Sequence, residues 1–290
     1  MSQIIDLIKE LRERTGAGMM DCKRALESSN LDIARAMDWL REKGITKAAS
    51  KSTRIAAEGI SHVVVDGAKT LVIEVNCETD FVARSDAFIQ LVDAIAKQIL
   101  ASGETKIEVA KTLVAPLITE ATMKIGEKID VRRFEVIEAS GSEVIGSYVH
   151  MNGKISTIAL MKGVDKAFAD NMAMHITANN PRFITSNDIP KDALEHETKI
   201  QREIVAADEK LKDKPEAALV KIIEGKVSKV FRESTLSEQP YLMDEAGTNV
   251  GTILSKQQAA VLKFVRFAVG EGIEKRVDNF AEEVMSQTKA

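Results

Sequence analysis

Apolar positions recur at two different spacings along this chain, a helical repeat of three to four and a strand repeat of two, and each change of spacing marks a boundary between elements. Ile4, Ile8 and Leu11 predict a first helix that stops at Gly16. Met19, Cys22, Ala25 and Leu26 predict a second, and Ile33, Met37 and Leu40 a third, capped by Asn30 and closed by Gly44. Residues 46–58 are rich in alanine, serine and basic side chains, lack an apolar stripe, and read as a linker. Period two then takes over. Residues 59–65 and 70–77 alternate as two strands about Asp66-Gly67, a strong hairpin-turn signal. Phe88, Leu91, Val92, Ile95 and Ile99 return to helical spacing, residues 107–125 predict a helix interrupted at Pro116, and residues 129–137 alternate again.

A second unit repeats the first more faintly. Residues 147–149 and 155–161 predict strands joined through Asn152-Gly153, and a helix follows over 165–178. Two related α+β halves with antiparallel strands are therefore expected. From Pro190 the pattern becomes long and charged: Leu194, Ile200, Ile204 and Leu211 precede a turn at 212–215, and Leu219, Ile222, Val227, Val230 and Phe231 follow it. Two antiparallel helices with an apolar seam and a dense charged face predict a hairpin that projects from the body. Such a seam can also pair with a second copy of the chain. Residues 250–260 predict a helix, Leu262, Phe264, Arg266 and Ala268 a strand, and Val277, Phe280, Val284 and Met285 a terminal helix after the Gly270-Glu-Gly272 break.

The stretch Asn76-Cys-Glu-Thr-Asp-Phe-Val-Ala-Arg84 has no counterpart in the second half. Leu71, Ile73 and Val75 end a strand there and a helical pattern begins with no glycine or proline between, so a tight strand-to-helix corner results. Thr79 or Asp80 can cap the helix. Phe81 has no such local explanation, because Arg84 and Ser85 stand three and four positions on, where a core stripe would continue. A large ring at an exposed corner, flanked by a carboxylate, marks a contact point for a partner.

Composition narrows the alternatives. At 290 residues, with 44% hydrophobic residues, the chain can build two or three modules with real cores. Aromatics at 4% are too few for stacked recognition of single-stranded nucleic acid, and 40 basic against 44 acidic residues, a net charge of -4, disfavour a general phosphate-binding surface. Protein partners are favoured over nucleic acid. The first residues form no secretory or transit signal and no apolar run reaches about 20 residues, so no membrane partner and a cytoplasmic location are expected. Cys22 and Cys77 lie far apart and read as reduced, partly buried thiols. The motifs GxxxxGK[ST], GxSxG and HExxH are missing, and His62, His150, His175 and His196 stand singly, so no catalytic residue, cofactor or metal site is expected.

The corner sequence resembles the Thr-Asp-Phe-Val signature of bacterial elongation factor Ts, and residues 11–23 and 266–275 resemble that family's two other signatures in the same order. The resemblance spans essentially the whole chain. It implies an α+β fold made of a three-helix, UBA-like unit over residues 1–45, a linker over 46–58, a first core half over 59–140, and a second over 141–189 and 232–272. A coiled-coil hairpin would be inserted over 190–231, with a helical module over 273–290. It also implies a guanine nucleotide exchange factor that binds elongation factor Tu in its GDP-bound and nucleotide-free states. In that family the corner matching Thr79, Asp80, Phe81 and Val82 inserts beside the switch helices of the GTPase and dislodges magnesium. Met19, Met20, Lys23 and His150 fall on further partner-facing positions. A passive scaffold or chaperone that binds without changing nucleotide affinity is the rival reading.

Overall fold

The computed structural model describes residues 2–211 and 214–274. It opens with α1 (Ser2–Thr15), α2 (Met19–Ser28) and α3 (Ile33–Lys51), whose Leu11, Cys22, Leu26, Ala36 and Leu40 enclose a small core of their own. The cap of α3 is Asp32, which accepts from the Arg35 N–H at 2.9 Å, rather than Asn30. Asn30 adopts a positive φ of 52°, whereas a capping residue needs extended backbone.

Nor does Gly44 close α3. The helix continues to Lys51, through the first half of the expected linker. At Gly44 a glycine serves close approach instead of termination: a methyl group there would lie 2.2 Å from Met123 Sδ and 3.2 Å from Thr119 Cγ2, both on α6 (Ile107–Ile125). Contact made by a missing side chain leaves no apolar stripe to read. Met123 in turn packs against the three-helix core, so this unit is docked on the body through α6. Helix α6 is itself unbroken at Pro116, since burial of Ala110, Val114 and Ala121 on both sides outweighs the one backbone bond that proline removes.

Two antiparallel three-stranded sheets form the body. The first has the order β1 (Glu58–Asp66), β2 (Lys69–Cys77), β3 (Asp130–Glu138), and the second β4 (Glu143–His150), β5 (Ile155–Lys162), β6 (Ala260–Ala268). In each the central strand carries a register shift toward its third strand, at Glu74/Val75 and at Leu160/Met161. One face of β2, with Leu71, Ile73 and Val75, packs against Phe88, Ile95 and Ile99 of α5 (Asp86–Ser102) and against α6. Correspondingly, Ala159 and Met161 pack against Met172 and Ile176 of α7 (Lys166–Asn179). The opposite faces meet each other through Val72, Ile137, Ile145, Ile158 and Phe267. Helices thus lie outside and the two sheets inside, as strand periodicity requires when both faces of a strand are apolar.

Glu74 falls on that inner face and is completely buried. Its carboxylate accepts from Arg132 Nη1 at 3.0 Å, Arg133 Nε at 2.6 Å and the Gly270 N–H at 2.8 Å, while Arg133 also donates to the Ala268 carbonyl. This cluster pins the turn after β6 to the first sheet.

Between α7 and β6 the chain makes α8 (Lys191–Ala207) and α9 (Glu216–Ser234), which pack chiefly on each other. Val205, Val227 and Phe231 are the buried apolar side chains of the pair, and the Phe231 ring reaches Phe183 at its base, 6.2 Å between centroids. Helix α10 (Val250–Lys256) is shorter than its pattern, because Gln258 turns to a φ of 54° and the Ala259 N–H closes back on the Leu254 carbonyl. The helix expected after residue 274 lies outside the described residues. None of the described helices is long and apolar enough to cross a membrane.

Candidate functional site

The corner is a single short helix, α4 (Asp80–Ala83), set between β2 and α5. Thr79 caps it by accepting from the Val82 N–H at 3.3 Å, and Ser85 caps α5 by accepting from the Phe88 N–H at 3.3 Å while donating to the Val82 carbonyl at 2.8 Å. Two caps six residues apart in sequence allow the chain to turn without glycine. Ala83 is buried and Val82 leans on the first core, which leaves Phe81 pointing outward. Its ring is 84% exposed, more than any other large apolar side chain described. Asp80 pairs with Arg84 at 3.0 Å on the same surface.

Behind the corner lies a brace of hydrogen bonds and an ion pair. Glu127, in the loop between α6 and β3, accepts from the Glu78 and Thr79 N–H groups, each at 3.0 Å, and from Thr79 Oγ1 at 2.6 Å. Glu78 accepts from the Lys128 N–H at 2.6 Å and pairs with Arg54 at 3.3 Å. Cys77 is buried beneath, donating to the Thr79 carbonyl at 3.2 Å. Burial first, and then the Glu127 and Glu58 carboxylates, push its thiol up to about 12, so it is an inert packing group at neutral pH.

The other residues singled out in the sequence are spread over the molecule. Met19 and Met20 open α2 and are 58% and 59% exposed, so neither belongs to the core, and Lys23 one turn on is exposed and pairs with Glu27 at 3.7 Å. His150 ends β4, half-buried, with its Nδ1 3.3 Å from Tyr148 Oη. Thr79, Asp80, Phe81 and Val82 are brought together; Met19, Met20 and Lys23 form a separate group on the three-helix unit, and His150 a third position on the second sheet. Sequence reading missed Glu127, Arg54 and Lys128. Their sequence distance hides them, and the only signal is the polar run that ends α6. Among the described residues no group of three or more histidine, cysteine or acidic side chains is placed to hold a metal ion.

Fold and corner together define a mixed helix and antiparallel-sheet protein that displays one aromatic side chain on a braced turn. Residues 78–271 match the family model for elongation factor TS, a span that begins at the corner and ends at the turn held by Glu74. The chain belongs to the elongation factor Ts family, whose members are translation elongation factors that partner elongation factor Tu.

Proposed function

We propose that this protein is a guanine nucleotide exchange factor for elongation factor Tu and that Phe81 is the wedge by which it acts. The observation that carries this reading is the exposure of Phe81 on a corner too well anchored to fold the ring away. The chain makes and breaks no bond. It binds the GDP-bound factor, and the ring, with Asp80 as its polar neighbour and Val82 beneath, displaces elements that hold magnesium and the phosphate groups. Coupling is reciprocal: whatever factor the contact takes from nucleotide affinity, nucleotide takes from the contact, so the complex passes to the nucleotide-free state and is released when GTP enters. Met19, Met20 and Lys23 grip a second area of the GTPase, and His150 lies on the half that holds its distal domain. The α8–α9 hairpin acts as a coiled-coil arm whose seam can take up a second copy, and the cytoplasm is where such a factor works.

Release of a fluorescent GDP from elongation factor Tu, with and without the protein, tests the proposal. Acceleration by orders of magnitude is the expected result. Tight binding with an unchanged release rate would leave a passive scaffold instead.

A further inference from the structure

The direction in which Phe81 points is not set by its sequence neighbours. Backbone pairing on β2 ends at Cys77 and α4 begins at Asp80, so the N–H groups of Glu78 and Thr79 have neither a strand nor a helix partner. Both go to one oxygen of Glu127, which stands 49 and 48 positions away in sequence. The other oxygen takes the Thr79 hydroxyl proton, which turns the hydroxyl lone pair toward the Val82 N–H. One carboxylate therefore fixes the chain on both sides of Phe81, directly before it and through Thr79 after it.

The same loop also holds the segment that leaves the three-helix unit. Lys51 Nζ donates to the Gly126 carbonyl, and Lys128 Nζ donates to the carbonyls of Ser52 and Arg54 at 2.7 and 2.9 Å. The corner and the end of α3 are thus tied to three consecutive residues, Gly126, Glu127 and Lys128.

We infer that Glu127 is a positioning residue for nucleotide exchange: its carboxylate aims the Phe81 ring, from a loop whose neighbours Gly126 and Lys128 hold the end of the three-helix unit, without touching the partner. This rests on the wedge reading above. Preorganisation of this kind matters because an ordered ring loses little freedom on docking.

A double-mutant cycle tests it, with stimulated GDP release and thermal melting measured on wild type, Glu127→Ala, Phe81→Ala and the pair. Glu127→Ala is expected to slow release about tenfold in the wild-type background, but less than about twofold where Phe81 is already alanine, since no ring remains to aim. Its effect on melting should be the same in both backgrounds. Glu127→Gln keeps an oxygen for the two N–H groups and can donate to the Thr79 hydroxyl, so it should recover most of the rate and guards against a misfolded alanine variant. Release at the wild-type rate in Glu127→Ala, or an equal loss in both backgrounds, overturns the inference. Failure of the wild-type protein itself to accelerate release overturns the exchange reading, and is seen separately in the same experiment.

Discussion

Truncation of Phe81 to alanine separates folding from the proposed function, because the folded chain itself buries little of the ring. With 84% of its surface in water, the folded protein buries about a sixth of the residue. Full burial of a phenylalanine is worth about 1.5 to 3 kcal/mol, so the fold loses roughly 0.2 to 0.5 kcal/mol. For a protein of this size that lowers the melting temperature by less than about 2 °C. The remaining five-sixths, roughly 1.2 to 2.5 kcal/mol, becomes available only when a partner covers the ring. If that contact forms as nucleotide leaves, its loss slows stimulated GDP release by roughly 7-fold to 60-fold, at about 1.4 kcal/mol per factor of ten. Stopped-flow release of fluorescent GDP and melting followed by circular dichroism give the two numbers. A variant that melts many degrees lower, or one that exchanges at the wild-type rate, refutes the reasoning.

Further consequences follow from other parts of the molecule. Gly146→Ala should lower the melting temperature by several degrees, because its methyl group would lie 1.9 Å from the Ala169 carbonyl oxygen and neither backbone can retreat; overpacking of this kind costs about 1 to 3 kcal/mol or more. Replacing residues 194–228 with a short Gly-Ser bridge should leave one cooperative melting transition, since it removes two helices that pack chiefly on each other and spares the Phe231–Phe183 contact; loss of the transition would show that the hairpin supports the body. His175 is fully buried, accepts from the Leu242 N–H at Nδ1 and donates from Nε2 to Gln239, and burial lowers its pKa despite the Gln239 bond. The unfolded chain then takes up a proton that the native state refuses, so stability is full above about pH 6.5 and falls as pH drops below it, by up to about 1.4 kcal/mol per unit. Denaturant midpoints measured from pH 7.5 to 5 should show this slope, and His175→Gln should flatten it.

Much of the strand content was legible because alternation is a local signal. Leu71, Ile73 and Val75 named their face of β2, and Gly67 and Gly153 both carry the positive φ that marked their turns. Phe81 could be recognised by what was missing around it, an interrupted stripe at Arg84 and Ser85. Features that arise from two distant segments left no such trace. Gly44 reads as a terminator because its contact with Met123 depends on α6, and residues 46–51, which carry no apolar stripe, continue the helix all the same. Asn30 and Asp32 are both good caps by composition, and only backbone geometry chose between them. Glu127 was invisible as a brace because a carboxylate in a loop is the commonest thing a surface holds. Glu74 is a charge in a buried strand, which reads as an outward-facing residue until Arg132 and Arg133 are seen beside it.

The position of the α8–α9 excursion has a consequence for how the chain matures on the ribosome. The first sheet is complete once β3 has been made, and α4, α5 and α6 are all enclosed between its second and third strands. The second sheet must wait. Ile155 pairs with Ala268, so the outer edge of β5 stays open while α7, the helical arm and α10 are synthesised. An open edge on a strand whose Ser156, Thr157, Ile158 and Ala159 all end up buried is a template for wrong pairing during that interval. Helices that close on their own seam are a safe filler for the gap, since they offer the waiting strand no competing edge. The arrival of Gly270 at Glu74 then sets a backbone N–H of the late half on a buried carboxylate of the early one. The half that bears Phe81 is thus finished first, and its buried carboxylate is the receptor on which the end of β6 finally closes.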